Sequence, residues 1–99
     1  MIGIYKITNK ITGECYVGQS TDIHARWAQH RRNAVAKDKV RKYALYRDIR
    51  AFGYSAFEFE VLEECQKSEL DERENYWIRY YSERVHMYNL LYPQGAIRK

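Results

Sequence analysis

Two short runs rich in β-branched and aromatic residues constrain the fold of this 99-residue chain most strongly. They extend from Ile2 to Thr8 and from Glu14 to Gln19, and a polar stretch ending at Gly13 separates them. Runs of this length and composition around a short turn are typical of a β-hairpin. We therefore expect the chain to begin with two antiparallel strands.

The hairpin predicts which side chains share a face. If the loop consists of residues Asn9 to Thr12, Thr8 pairs with Gly13 and Tyr5 lies directly opposite Tyr16. Directly opposed residues lie on one face of a sheet, whereas a slip by one residue would place the two rings on opposite faces. This register predicts a pair of tyrosine rings on the same face.

A helix is expected after the hairpin. Asp22 is suited to cap a helix that runs to about Lys37, in which Ile23 and Trp27 mark the apolar stripe. Arg26 and His30 are also four residues apart, so their side chains emerge together beside that stripe. The spacing places both at the rim between core and solvent, where a cleft would form.

The middle of the chain predicts a second helix and a third strand. From about Val40 to Phe52, the apolar residues Leu45, Ile49 and Phe52 recur on one side, and Gly53 is suited to end the helix. From Ala56 to Glu63, apolar and acidic residues alternate as they do in a half-buried strand.

A third helix is expected from Glu69 to about Tyr81. Ser68 and Asp71 have the spacing of a capping box, with Asp in place of the usual Glu. The expected core stripe of this helix consists of Leu70, Trp77, Ile78 and Tyr81.

Glu74 lies inside that stripe, four residues from both Leu70 and Ile78. A desolvated carboxylate is costly unless a cation or hydrogen-bond donors hold it. Glu74 therefore requires a partner such as an arginine, a lysine or a divalent metal ion. From the residues alone, an internal salt bridge to arginine and a metal site account for it equally well.

Size and composition fit a single domain over residues 1–99. No apolar run approaches the roughly 20 residues that a membrane span needs, so we expect a soluble, cytoplasmic protein with no membrane partner. Cys15 and Cys65 lack the spacing of a disulfide framework or a zinc site, and we expect buried, reduced thiols.

The formal charge of +4 is unevenly distributed along the chain. From Asp22 to Arg50, nine basic residues accompany three acidic ones, whereas from Glu58 to Glu74 eight acidic residues accompany two basic ones. A basic stretch that contains tyrosines can follow a phosphate backbone and offer rings to bases or sugars. The candidate DNA contacts are Arg31, Arg32, Lys39, Arg41, Lys42, Tyr43 and Tyr46. Charge alone, however, favours an ordinary solvated helix face.

Taken in order, these residues resemble the GIY-YIG nuclease family over nearly the whole chain. The first motif reads Gly3-Ile4-Tyr5, and the second reads Tyr16-Val17-Gly18 with Val in place of the central Ile. The segment from Thr21 to His30 is similar to the family's arginine-containing helix. The segment from Glu72 to Ile78 is similar to its glutamate helix, and Tyr88-Asn89 to its closing asparagine motif. Among subgroups, the chain looks most like the catalytic domains of bacteriophage intron-encoded homing endonucleases and their free-standing relatives.

The resemblance implies an α/β fold of the α+β kind, in which three or more helices flank a three-stranded antiparallel sheet. It also implies a DNA endonuclease that hydrolyses phosphodiester bonds. The family uses one divalent metal ion, Mg²⁺ or Mn²⁺, on a single carboxylate, which here would be Glu74.

The family's catalytic positions correspond to Tyr5, Tyr16, Arg26, His30, Glu74 and Asn89 of this chain. Tyr5 would be the general base for the attacking water, with His30 accepting or orienting its phenolic proton. Because the unperturbed pKa of tyrosine is near 10, a nearby cation and metal would have to favour the phenolate.

The resemblance gives the other positions supporting roles. Arg26 would bind the scissile phosphate and stabilise charge that develops in the transition state. Tyr16 would hydrogen-bond the phosphate or the water, and Asn89 would order the site. Gly18 would allow a close approach of the DNA backbone.

Two further interpretations stay open at this point. One is a non-catalytic nucleic-acid-binding module of the same fold, and the other is a repair or restriction nuclease, although such members usually carry extra elements. Homing relatives take their specificity from a separate C-terminal DNA-binding region, whereas this sequence ends at Lys99. We expect DNA as the partner. We also expect that sequence specificity requires a separate specificity domain or a homo-oligomer. If a phage encodes the chain, its compartment is the host cytoplasm.

Overall fold

A computed structural model describes residues 1–35 and 44–89 of the chain. The strands are β1 (Gly3–Asn9), β2 (Cys15–Ser20) and β3 (Phe57–Glu64). The helices are α1 (Ile23–Val35), α2 (Ala44–Phe52) and α3 (Leu70–Ser82). The expected end of α1 at Lys37 and the expected start of α2 at Val40 lie outside the described residues. Within the described part of the chain, none of the helices has the length and apolar character of a membrane span.

The three strands form one antiparallel sheet in the order β2-β1-β3. The central strand β1 is buried on both faces. Tyr5 and Ile7 point into a cluster with residues of α1 and α2, whereas Ile4 points into a second cluster with Leu70 of α3. The sheet therefore lies between α1 and α2 on one face and α3 on the other, which confirms the expected α+β fold.

The hairpin register differs from the predicted one by two residues. Thr8 pairs with Cys15, and Tyr5 pairs with Gly18. The Asn9 side chain is the cause, because its Oδ1 accepts hydrogen bonds from the Ile11 and Thr12 backbone N–H groups at 2.9 and 3.3 Å. Asn9 thus ends the strand, and the four-residue loop begins one position later than predicted. Since side chains alternate with a period of two, this shift leaves each residue on its predicted face.

The pairing of β1 with β3 is irregular beside Tyr5. Ile4 pairs with Glu63, but the next residue, Tyr5, pairs with Val61, so β3 contributes one extra residue at this point. Such a bulge bends the strand and re-aims nearby side chains. The irregularity therefore lies where β1 presents Tyr5 to α1.

Helix α2 ends as expected but buries a different set of residues. The Gly53 N–H donates to the Ile49 carbonyl oxygen at 2.9 Å, which closes the last turn. Leu45 and Ile49 are buried, whereas Phe52 is 40% exposed, so its predicted place in the core stripe is wrong. Phe52 is the last residue of the helix and extends beyond the packed part. Tyr46 completes the buried face instead.

The predicted capping box of α3 is also wrong. A short 3₁₀ turn (Lys67–Glu69) precedes α3, and Gln66 with Glu69 forms the box in place of Ser68 with Asp71. The Gln66 backbone N–H donates to the Glu69 carboxylate at 2.9 Å. Glutamate reaches back to the cap more readily than the shorter aspartate, which explains the preference for this pair.

Both cysteines are free thiols, as predicted. Cys15 is buried, and burial raises its pKa to about 11. Cys65, which directly follows the end of β3, is only half-buried, so the expectation that both thiols are buried is wrong for this residue.

Candidate active site

The first two motifs meet on one face of the sheet against α1. Tyr5 is 1% exposed, and its Oη lies 2.7 Å from Nε2 of His30. The Tyr16 ring centroid lies 6.4 Å from that of Tyr5 and 5.7 Å from that of His30. The two tyrosines do share a face, as predicted, but they are diagonal neighbours across the hairpin and not direct partners.

Gly18 has a different role from the predicted one. It lies opposite Tyr5 in the hairpin, and a Cβ added there would lie 2.5 Å from Tyr5 Oη and 2.6 Å from its Cζ. Gly18 is buried under the Tyr5 ring. The missing side chain therefore makes room for a catalytic candidate within the protein, which corrects the expected approach of the DNA backbone.

His30 connects Tyr5 to a residue on α2. Its Nδ1 lies 2.6 Å from Oη of Tyr46, which is 7% exposed, and His30 itself is 6% exposed. Tyr5, His30 and Tyr46 thus form a buried chain of two hydrogen bonds, hereafter the Tyr5–His30–Tyr46 chain. Tyr46 belongs to the core, so its expected position on a DNA-facing surface is wrong.

Burial keeps both members of the Tyr5–His30 pair neutral. It lowers the pKa of His30 from 6.5 to about 4, and the positive charge of Arg26 acts in the same direction. It also raises the pKa of Tyr5 far above its ordinary value, and the Tyr16 hydroxyl adds to this increase. Arg26 opposes that increase, because a nearby cation favours the phenolate.

Arg26 lies at the solvent side of this pair. Arg26 is exposed, whereas His30 is buried. The two residues that were predicted to share the rim therefore lie on its two sides, Arg26 towards solvent and His30 towards the core. Nη1 of Arg26 donates to Oε1 of Gln29 at 2.8 Å. Arg26, Gln29 and Gln19 also line an open cleft of about 690 Å³ beside the end of β2.

Gln19 connects this cleft to α3. Its Nε2 donates to Oε1 of Glu74 at 3.0 Å and to Oδ1 of Asp71 at 2.8 Å. Glu74 is half-buried, and Gln19 is a neutral partner that the sequence did not indicate. Gln19 and Tyr16 point to opposite faces of the edge strand β2, so the tyrosines and Glu74 lie on the two sides of that strand.

Asn89 is placed to hold the edge strand. Its Oδ1 accepts from the Val17 backbone N–H at 2.9 Å, and its Nδ2 donates to the Val17 carbonyl oxygen at 2.8 Å. Both groups of Val17 face away from β1 and would otherwise lack a partner from the sheet. Asn89 is 6% exposed and orders the strand that carries Tyr16 and Gly18.

The residue before Asn89 anchors the same segment to α2. The Tyr88 hydroxyl donates to Oδ2 of Asp48 at 2.8 Å and accepts from Nδ2 of Asn9 at 3.1 Å. Tyr88 is fully buried, and burial raises its pKa. The Tyr88-Asn89 motif thus joins α2, the hairpin turn and β2.

Part of the basic stretch lies on the surface of α1. Arg31 and Arg32 are exposed, Arg32 borders the cleft, and the Arg31 guanidinium lies 4.5 Å from the ring centroid of Tyr54. The candidate contacts outside the described residues are Lys39, Arg41, Lys42 and Tyr43. His24 and His86 are exposed.

Comparison with known proteins identifies the domain. The sequence-family model of the GIY-YIG catalytic domain matches residues 1–89, which include every motif described above. The chain belongs to the GIY-YIG family. The match confirms the resemblance that the motifs indicated.

Individual similar proteins agree with the family assignment. "Intron-associated endonuclease 1" of Enterobacteria phage T4 is 33% identical over 90 residues, which are 89% of this chain and 36% of that protein. The chain thus spans about a third of the length of this relative. The catalytic domain of the homing endonuclease I-TevI has the same fold, with a TM-score of 0.75 and 30% identity over 89% of this chain and 96% of that domain. A point mutant of that domain matches with a TM-score of 0.73, also at 30% identity, over 90% of this chain and 92% of its own.

Proposed function

We propose that this GIY-YIG domain is a DNA endonuclease that hydrolyses phosphodiester bonds. The observation that carries the proposal is the 2.7 Å hydrogen bond between the buried Tyr5 hydroxyl and His30, on the inner side of the exposed Arg26. Such an arrangement can move a proton at one end and bind a phosphate at the other. The names of the T4 and I-TevI relatives support DNA cleavage by an endonuclease of the homing type.

Proton removal would pass through Tyr5 to His30. Burial disfavours both the phenolate and the imidazolium, so a free phenolate is a poor resting state. We therefore propose a concerted transfer in which the attacking water gives a proton to Tyr5 Oη while the Tyr5 proton moves to Nε2 of His30. Tyr5 stays a phenol, and the net movement is one proton from water to imidazole.

Arg26 and Tyr16 would bind the reacting phosphate. The Arg26 guanidinium lies on the cleft and is held by Gln29, which suits a fixed, charged donor for developing negative charge. Tyr16 is half-buried, close to both Tyr5 and His30, and would direct its hydroxyl to the phosphate or to the water.

Glu74 would hold a divalent metal ion, Mg²⁺ or Mn²⁺. Its carboxylate is half-buried at the edge of the sheet beside Asp71, and hard oxygen donors suit either ion. Among residues 1–35 and 44–89, His, Cys, Asp and Glu side chains nowhere gather in threes as a metal centre. One carboxylate with several waters is sufficient for Mg²⁺, so the site fits a singly anchored ion. When bound, the ion supplies Lewis-acid stabilisation to the phosphate and the leaving oxygen.

The exposed arginines of α1 would guide DNA to this site, with Arg31 and Arg32 as candidate backbone contacts. We propose that sequence specificity comes from a region outside these 99 residues or from a second copy of the chain. The phage origin of the T4 relative favours the host cytoplasm as the compartment.

Cleavage of supercoiled plasmid in Mg²⁺ tests the proposal. We expect nicked or linear product from the wild type, and none above background from Glu74→Ala or Arg26→Ala. Both variants should retain most of their affinity for a DNA duplex, measured by fluorescence anisotropy. Asn75→Ala, which alters an exposed residue next to Glu74 on α3, is the matched control and should cleave like the wild type.

The same assay separates the alternative functions. A wild-type protein that binds duplex DNA but leaves plasmid intact in Mg²⁺ and Mn²⁺ would be a non-catalytic binding module. Cleavage that survives in both Glu74→Ala and Arg26→Ala would exclude the assigned site and leave the activity to other residues.

A further inference from the structure

The Tyr5–His30–Tyr46 chain restricts where hydrogens lie. Since burial keeps His30 neutral, one ring nitrogen carries a hydrogen and donates, and the other accepts. The chain is therefore in one of two states. Either Nε2–H donates to Tyr5 and Tyr46 donates to Nδ1, or Tyr5 donates to Nε2 and Nδ1–H donates to Tyr46.

The surroundings of Tyr5 select the second state. Among the described residues, the hydrogen-bond partner of the Tyr5 hydroxyl is His30, and the nearby charged side chain that acts on it is Arg26. A buried hydroxyl hydrogen needs an acceptor, and a guanidinium offers none, so the Tyr5 hydrogen goes to Nε2 of His30. Nε2 is then the acceptor, and the hydrogen of the imidazole is on Nδ1.

We infer that Tyr46 is a positioning residue for the proposed reaction, because its hydroxyl oxygen, 2.6 Å away, accepts the Nδ1 hydrogen and so keeps Nε2 of His30 free to take the Tyr5 proton. This inference rests on the proposed function. In the transfer, the Tyr5 O–H bond breaks as an Nε2–H bond forms, and the water proton replaces the one that Tyr5 lost. His30 becomes an imidazolium whose Nδ1–H still donates to Tyr46.

Tyr46 also matters after the transfer. A charged imidazolium with both N–H groups buried needs an acceptor for each, because an unpaired buried donor is costly. The Tyr46 oxygen accepts from Nδ1, and the charge strengthens that bond. Tyr46 thus acts through His30, while Tyr5 meets the water.

Nitrogen-15 NMR of imidazole-labelled protein tests the inference on the full chain. In the wild type, we expect the Nδ1–H tautomer at His30. In Tyr46→Phe, which keeps the ring and removes the oxygen, we expect Nε2–H to become substantially populated. Single-turnover plasmid cleavage by this variant should fall about tenfold, the effect of losing one hydrogen bond, with duplex affinity within about twofold of the wild type.

Tyr54→Phe is the matched control, because Tyr54 packs against the same core cluster, whereas the described hydrogen bonds of His30 go to Tyr5 and Tyr46. It should leave both the tautomer and the cleavage rate unchanged. An Nε2–H tautomer in the wild type overturns the inference, even if Tyr46→Phe does not fold. Unchanged tautomer and rate in folded Tyr46→Phe overturn it as well. A wild type that shows the Nδ1–H tautomer but does not cut DNA defeats the proposed function, while the assignment of Tyr46 to the orientation of His30 stands.

Discussion

Gly18 lies directly under Tyr5, and a methyl group at this position would lie 2.5 Å from the Tyr5 hydroxyl oxygen. The last residue of the second motif thus makes room for the last residue of the first. The glycine and the tyrosine are a structural pair across the hairpin, and the position of the hydroxyl depends on both.

Gly18→Ala should therefore displace Tyr5 from His30. We expect a loss of plasmid cleavage of roughly a hundredfold and a loss of about 1–3 kcal/mol in unfolding free energy from overpacking. Urea denaturation and cleavage per folded molecule provide the measurements.

Gly13→Ala is the control for backbone effects, because Gly13 has a φ of 86° in the hairpin loop and a Cβ added there would meet open space. It should lower stability by about 1 kcal/mol through backbone strain while leaving cleavage per folded molecule unchanged. Equal effects of the two substitutions on cleavage would show that Gly18 has no special relation to Tyr5.

Asn89→Ala should destabilise the fold through β2. The substitution leaves the N–H and the carbonyl of Val17 without their side-chain partners, and we expect a loss of about 2–4 kcal/mol. Chemical denaturation measures the loss, with the exposed Asn75→Ala as the reference. If Asn89→Ala lost cleavage while its stability matched that of the reference, Asn89 would have a chemical role in place of this structural one.

The lowered pKa of His30 predicts how stability depends on pH. Between about pH 4 and 6.5, the unfolded chain binds a proton at this residue that the folded chain does not, so stability rises with pH across this window. The stability is fully present above pH 6.5 and declines as the pH falls towards 4. The shift corresponds to about 3 kcal/mol at most.

A matched variant isolates this effect from the titration of carboxylates. Between pH 4 and 6.5, the unfolding free energy of His30→Gln should change less steeply than that of the wild type. His24→Gln, which alters an exposed histidine, should follow the wild type. Parallel curves for His30→Gln and the wild type would mean that His30 titrates normally in the folded protein.

Gln19→Glu tests the link between the cleft and α3. It replaces the amide that donates to Glu74 and Asp71 with a third negative charge, so the variant should unfold at a lower temperature than the wild type in EDTA. A divalent cation would relieve the repulsion, and millimolar Mn²⁺ should raise the melting temperature of the variant by more than that of the wild type.

Thr21→Glu adds the same charge to the cleft and is the control, because Thr21 is exposed on the cleft wall. Its response to Mn²⁺ should match that of the wild type. An equal response in Gln19→Glu would argue against a cation site at Glu74.

Local sequence patterns were sufficient to predict the helices and strands of the fold. Alternation predicted β3, and i, i+4 spacing predicted α1, because both depend on which residues are buried. The Asp22 side chain accepts from the Ala25 backbone N–H at 3.2 Å, as its expected role as a cap requires. The hairpin register was harder to predict, because the Asn9 side chain, and not the apolar pattern, determines where the loop begins.

The candidate site was predictable only in part. The family motifs indicated Tyr5, His30 and Glu74, but a motif does not show which neighbours complete each residue. Tyr46 was assigned to DNA through the basic stretch around it, although its position three residues before Ile49 already indicated the buried side of α2. Gln19 had no comparable signal, since its role depends on a contact between β2 and a helix more than fifty residues away.

The hydrogen bonds of Asn89 have a consequence for assembly. β2 is an edge strand, and edge strands recruit strands from other molecules unless their free backbone groups are covered. Asn89 covers Val17, while the backbone groups of His86 and Tyr88 bond to those of Cys15. An incoming strand would have to displace this segment first. The edge that presents Tyr16 is thereby protected from sheet extension and stays available for a substrate.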